Sequence, residues 1–250
     1  MEKIFWQAIS LALVLFLPVS ALGYIPSAHF IIRMMLQRNQ AIQDVTVEQT
    51  TAIFDDKSGY EGLQVREVLY LKFPDRYRLD TTLPNETKTT ICSQGKMLTI
   101  VGNEVISHAP DEKITFKAFI INHSVDEVIQ LLRSRNVNIE RMGLGRFNGK
   151  IAYIIGANET ETELPQLWID KDRFLPLRFI AKEKKKESVT KVEVRYLNYR
   201  RIHGKFQYPS TVEFYNDNIL TLRYQIEKVV VNNLVPDKLF NIKTILGNNP

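Results

Sequence analysis

Four histidines (His29, His108, His123 and His203) and one cysteine (Cys92) are the side chains of this 250-residue chain best suited to hold a metal or move a proton at neutral pH. Their spacing supports neither role. No two histidines form an H-x-x-x-H or H-E-x-x-H pair, and none stands beside the cysteine at metal-ligand spacing. His29 falls in an apolar helical stretch and reads as a packed or surface residue. Cys92, between Ile91 and Ser93, has the setting of a buried inert thiol, and a single cysteine cannot form a disulfide within the chain. There is no G-x-S-x-G elbow and no P-loop, and Gly143-Leu144-Gly145 lacks the third glycine and the following helix of a dinucleotide site. Of the carboxylate pairs, Asp55-Asp56 and Asp111-Glu112 look like turn residues. Asp126-Glu127 opens a helix, where acidic side chains complement the dipole. The Asn-Glu-Thr triplets at 85 and 158 and Asn122-His123-Ser124 match a glycosylation pattern that matters only in a eukaryotic secretory route. The residues therefore predict no catalytic centre, no metal and no cofactor.

The chemistry that remains is apolar burial. The chain is 44% hydrophobic and 24% charged, with net charge +5 and ordinary glycine and proline content, the profile of a globular protein. The apolar residues are concentrated at the N-terminus. Lys3 supplies a positive flank, Ile4 to Leu17 form an uncharged apolar run, and Pro18 with small residues follows. The run is shorter than the ~20 residues that span a bilayer, so it reads as a cleaved export signal over residues 1–23. Ala21-Leu22-Gly23 places the cut before Tyr24, and Val19-Ser20-Ala21 is a second candidate. No cysteine adjoins either site, so the expected product is a soluble exported domain, residues 24–250.

That domain reads as mostly β. Tyr24 to Arg38 predicts a first helix with Ser27 as N-cap and Phe30, Ile31, Met34 and Met35 as its apolar stripe. Ser124-Val125-Asp126-Glu127 is a capping box before a second helix whose face is Val125, Val128, Ile129 and Leu132. Between and after them run alternating segments: Val45, Val47, Thr51 and Ile53 share one parity, as do Leu220, Leu222, Tyr224 and Ile226. Gly102-Asn103 and Asn148-Gly149 are hairpin turns. Lys182-Glu183-Lys184-Lys185-Lys186-Glu187 reads as a solvated hairpin tip and Arg200 to Lys205 as a basic turn. Either could touch anionic head groups, but no stacking-aromatic motif suggests nucleic acid. About eleven antiparallel strands and two helices in one domain must curl into a large sheet or barrel. Its concave apolar face has then to be filled by side chains, a helix or a ligand.

Several short segments resemble the LolA/LolB-like superfamily of periplasmic lipoprotein carriers and outer-membrane lipoprotein receptors. Leu69-Tyr70-Leu71-Lys72-Phe73-Pro74-Asp75-Arg76-Tyr77-Arg78 is similar to its apolar strand, Lys-x-Pro turn and aromatic strand. Ser93 to Leu98 resembles its following hairpin, and Leu167 to Pro176 its "lwid…lp" strand and turn. Tyr196 to Pro209 and Asn232 to Phe240 match its late signatures. The resemblance implies a mainly β fold, an unclosed antiparallel β-barrel with a helical lid over a hydrophobic cavity that holds acyl chains. On it, the cavity is expected to be lined by Leu69, Leu71, Phe73, Leu98, Ile100, Trp168, Phe179, Val194, Tyr196, Phe214, Leu222 and Tyr224. Met34, Met35, Val128 and Leu132 would belong to the lid. The implied role is a monomeric, non-enzymatic periplasmic carrier of acylated lipoproteins or lipids toward the outer membrane, meeting an inner-membrane exporter or the membrane surface. The alternative is a lipid- or lipoprotein-sensing regulatory module of the same fold. Family carriers place an arginine before the proline of the Lys-x-Pro turn, where it helps hold the lid; here that residue is Phe73.

Overall fold

A computed structural model of the chain describes residues 25–55, 60–93, 96–102, 104–107, 118–185 and 188–242. The expected export signal, Asn103 and the Asp111-Glu112 pair lie outside them. Helix α1 (Ala28–Leu36) precedes six strands: β1 (Asp44–Phe54), β2 (Glu61–Lys72), β3 (Arg76–Thr82), β4 (Thr87–Ser93), β5 (Lys96–Val101) and β6 (Glu104–Ser107). Helices α2 (Ala118–Ile121) and α3 (Val125–Ser134) follow. Seven further strands complete the sheet: β7 (Met142–Phe147), β8 (Lys150–Ile155), β9 (Gln166–Asp170), β10 (Pro176–Lys185), β11 (Ser188–His203), β12 (Phe206–Asn216) and β13 (Ile219–Val231). A 3-10 turn spans Asp237–Phe240. The described residues thus hold thirteen strands and three α-helices, against the expected eleven and two; α2, a single turn, is too short to leave a periodic signal.

All thirteen strands belong to one sheet in the order β6-β5-β4-β3-β2-β1-β13-β12-β11-β10-β9-β8-β7, each pair antiparallel. Sequence neighbours pair as hairpins, and β1 joins β13 in the middle. The sheet is therefore an unclosed barrel whose edges are β6 and β7, and the connection between those edges carries α2 and α3. Local chemistry fixes several turns. Asn148 and Gly149 (φ 48° and 77°) and Asp217 and Asn218 (φ 47° and 71°) occupy two-residue left-handed turns, whose twist matches that of the flanking strands. Of the expected hairpin tip at Lys182 to Glu187, Lys182 to Lys185 belong to β10 and continue the ladder to Lys185 opposite Ser188, and residues 186–187 lie outside the described residues.

Directly paired residues share a face, so the register identifies the two surfaces. One row runs Met142, Ile155, Leu167, Phe179, Val194, Phe214, Leu222, Ile53 and Leu63 across nine strands. A second row, separated from the first on β1 by Gln49 and Thr51, is Val47, Leu69 and Leu79, continuing to Thr90 and Thr99. Most of these side chains join Ile31, Ile32 and Met35 of α1, Phe119 and Ile120 of α2, and Val128 and Leu132 of α3 in one buried core. The helices therefore cover the concave face.

The outer face carries a different row: Ile154, Trp168, Arg178, Arg195, Glu213, Arg223 and Ala52. Glu193 stands beside it, 1% exposed at its side chain. It accepts two hydrogen bonds from Arg178 at 2.8 Å and one from Arg195 at 2.5 Å. Burial opposes ionisation of its carboxyl, but the two guanidiniums prevail and hold it below the usual carboxylate range. Arg195 in turn stacks 4.1 Å from the Tyr215 ring centroid.

Candidate functional site

The apolar floor of the concave face is positioned by strand alternation, and its cover by helix periodicity. In α1 the Ser27 hydroxyl accepts the Phe30 N–H, and the stripe turned inward is Ala28, Ile31, Ile32, Met35 and Leu36. Relative to the expectation the stripe is rotated. Phe30 is exposed and Met34 half-buried, because residues 31, 32, 35 and 36 repeat at three and four and occupy the face toward the sheet. In α3 Ser124 accepts the Glu127 N–H at 3.3 Å, the first half of the expected capping box. Glu127 does not reach back to the Ser124 N–H; Asn122 takes that donor with its Oδ1 and donates to Glu127 through Nδ2.

Of the twelve expected lining residues, Leu69, Leu71, Phe179, Val194, Tyr196, Phe214, Leu222 and Tyr224 belong to the covered core, and Phe73 packs against it half-buried. Of the expected lid residues, Met35, Val128 and Leu132 are buried in the same core. Three residues are elsewhere. Trp168 points to the outer face, buried with Ala152, Ile154, Ala157 and Leu177 in a separate cluster. Gly145 admits that indole, since a Cβ there would stand 2.9 Å from both Trp168 and Ile154. Leu98 is paired with Ile91, which is paired with Arg78. Arg78 donates to the Leu239 carbonyl of the 3-10 turn, so this row also faces outward, and Ile100 shares the parity of Leu98. The concave residues of β5 are Met97 and Thr99 instead.

The cover is fastened at identifiable points. Phe119 of α2 rests its ring 4.8 Å from Phe179 of β10. Asn39, just past α1, is buried and donates through Nδ2 to the carbonyls of Ile120 and Asn122, tying α1 to the α2–α3 connection. Phe73 stacks on His123 in that connection, ring centroids 4.0 Å apart and planes 23° apart. The position where family carriers place an arginine thus meets the cover through an aromatic pair. Burial lowers the affinity of His123 for a proton, outweighing its hydrogen bond with the Asn39 backbone, and its Nε2 is buried without a hydrogen-bond partner.

Two polar features of the concave side were not anticipated. Glu67 of β2 is buried, accepting from Gln49 (2.8 Å), Thr51 (2.5 Å) and Thr81 (2.9 Å), so a polar layer interrupts the apolar rows. The inward parity of β1 already carries Gln49 and Thr51, the one signal in the sequence. Toward the other end, burial raises the phenols of Tyr196, Tyr199 and Tyr208 well above their ordinary value and keeps them neutral. Cys92 is half-buried and packs against the core. Burial, reinforced by Asp75, raises its thiol and keeps it protonated. What this surface offers chemically is a broad apolar floor under a helical cover, interrupted by the polar layer around Glu67.

No protein-family model matches the sequence, and no curated protein matches it. Solved structures do resemble the fold. A domain assigned to outer-membrane lipoprotein sorting from Vibrio parahaemolyticus aligns over 87% of this chain and 97% of its own, with 11% identity and a TM-score of 0.57. A DUF1329 family protein from Desulfovibrio piger covers the same shares at 16% identity and a TM-score of 0.59. A LolA superfamily protein from Nitrosomonas europaea aligns over 88% of this chain and all of its own, at 13% identity and a TM-score of 0.53. The fold is LolA/LolB-like.

Proposed function

We propose that this protein is a non-catalytic carrier that shelters the acyl chains of lipoproteins or lipids on its concave face, working in the periplasm and delivering toward the outer membrane. The observation that carries the reading is the cover. Over the seven strands β7 to β13 an apolar row, Met142 to Leu222, is buried in or packed against one core with residues of helices α1, α2 and α3, not with a second sheet. Helices held by Asn39, the Phe119–Phe179 contact and the Phe73–His123 stack can lift without breaking a strand ladder. An acyl chain that replaced them would gain about 0.8 kcal/mol per CH₂ removed from water, so a chain of ordinary length repays much of the lost helix burial. The periplasmic location rests on the apolar N-terminal run and its small-residue cleavage pattern.

Native mass spectrometry of the exported protein tests this directly. Co-purifying acyl species are expected, together with uptake of a fluorescent fatty-acyl probe after delipidation. Delipidated, folded protein that takes up no probe would overturn the reading.

A further inference from the structure

At the end of the sheet where β1 and β12 begin and β9 and β11 finish, two arginines have no ion pair among the described residues. Arg38 follows α1, and its Nη1 is buried with no hydrogen-bond partner. Arg173, in the turn after β9, gives its Nη2 to the Gln207 side chain. Both guanidiniums act electrostatically on the Tyr199 hydroxyl, which donates to the Pro176 carbonyl at 2.8 Å, and they repel each other. The nearby carboxylate, Asp170, is buried and spends its Oδ1 on the backbone N–H groups of Asp172 and Arg173. Two cations thus share one nearby carboxylate, of which Oδ1 is already engaged by the backbone. A guanidinium nitrogen withdrawn from water with no acceptor is costly, and the structure tolerates it at the margin of the covered core, where Tyr199 packs.

We propose that Arg38 and Arg173 form an oxyanion site for a phosphate group. Two forks reaching from different elements suit a tetrahedral oxyanion, whose oxygens point in several directions, whereas the two oxygens of a carboxylate match a single planar fork. The position beside the covered face makes the phosphate the head of an acyl ligand, a step that rests on the carrier reading above; inorganic phosphate is the other source. The basic residues Arg200, Arg201 and Lys205 lie at the same end of the sheet and add to the local positive potential.

The test is titration of the delipidated protein with didecanoyl phosphatidic acid, with didecanoylglycerol, which has the same chains without phosphate, and with inorganic phosphate. Phosphatidic acid is expected to bind at least tenfold more tightly than didecanoylglycerol. Arg38→Gln and Arg173→Gln should each erase that preference while leaving didecanoylglycerol affinity unchanged. Arg38→Gln removes an unpaired buried charge, so the ligand-free variant should melt no lower than wild type; a large drop in its Tm would mark Arg38 as structural and overturn the proposal. If neither lipid binds but inorganic phosphate raises the Tm of wild type and not of Arg38→Gln, the site stands as one for free phosphate and the carrier reading fails. Equal affinity for the two lipids, with no effect of inorganic phosphate, overturns the oxyanion site and leaves the carrier reading intact.

Discussion

Replacing His123 by alanine should make the cover easier to lift. The imidazole stacks on Phe73 at 4.0 Å between the α2–α3 connection and the turn after β2, and its Nε2 is buried without a partner. A stacked aromatic pair contributes about 0.5–1.5 kcal/mol beyond area burial. If the pair forms only with the cover closed, its loss raises the open population about two- to tenfold and speeds probe uptake by the same factor. Global stability should fall by no more than about 1.5 kcal/mol, because the sheet core is untouched. The assay is stopped-flow uptake of a fluorescent fatty acid, paired with urea unfolding; Phe73→Leu, which keeps an apolar side chain and loses the stack, should behave alike. The pH dependence has a definite sign. Burial places the closed-state proton affinity of His123 below its ordinary value of 6.5, so the closed form is favoured fully above that pH. Closure weakens as pH falls from there through the lowered value. Wild-type uptake should therefore accelerate on acidification, and His123→Ala should lack that component. Uptake by His123→Ala at the wild-type rate, with the wild-type pH profile, would refute the reasoning.

Three further outcomes follow from the two faces of the sheet. Leu222→Asp places an unpaired charge in the covered core and should abolish probe uptake or folding; a variant normal in both would show that this face is not the ligand surface. Trp168 is the single tryptophan of residues 24–250, and it lies on the outer face. A brominated acyl chain, a contact quencher, should bind without dimming its fluorescence, whereas strong quenching would put the ligand on the wrong side of the sheet. Glu193→Ala strands Arg178 and should cost about 3 kcal/mol in urea unfolding, the low end for a broken buried pair because Arg195 keeps 32% of its side chain in water. Since the folded Glu193 carboxyl lies below its ordinary value of 4.5, its contribution is full above that pH and is lost as pH falls through the folded value; Glu193→Ala should be correspondingly less sensitive to acid there.

Parity was legible where one face of a strand is apolar and the other polar. In β13, Leu222, Tyr224 and Ile226 alternate with Arg223, Gln225 and Glu227, and the inward set is the one the pattern predicts. It failed where both faces are buried. All five residues of β9 are buried, because the segment before it folds over the outer face and covers Trp168; Gln-Leu-Trp-Ile-Asp therefore carries no alternation that marks its inner side. In β5, Met97, Leu98, Ile100 and Val101 are apolar at both parities. The register beside Cys92 and Thr90 assigns Leu98 and Ile100 to the outer surface.

The sequence by itself determined what depends on neighbours in the chain. It specified a mostly antiparallel β protein, the Ser27 and Ser124 caps and the Asn148-Gly149 hairpin, all set by backbone preferences and hydrogen bonds spanning a few residues. Only the tertiary structure decided that β1 would pair with β13, that Phe73 would meet His123, and that Arg38 and Arg173 would gather around Tyr199. Each joins residues between 26 and 186 positions apart, and such meetings are settled by closure of the whole sheet and burial of its concave face, which no local pattern encodes.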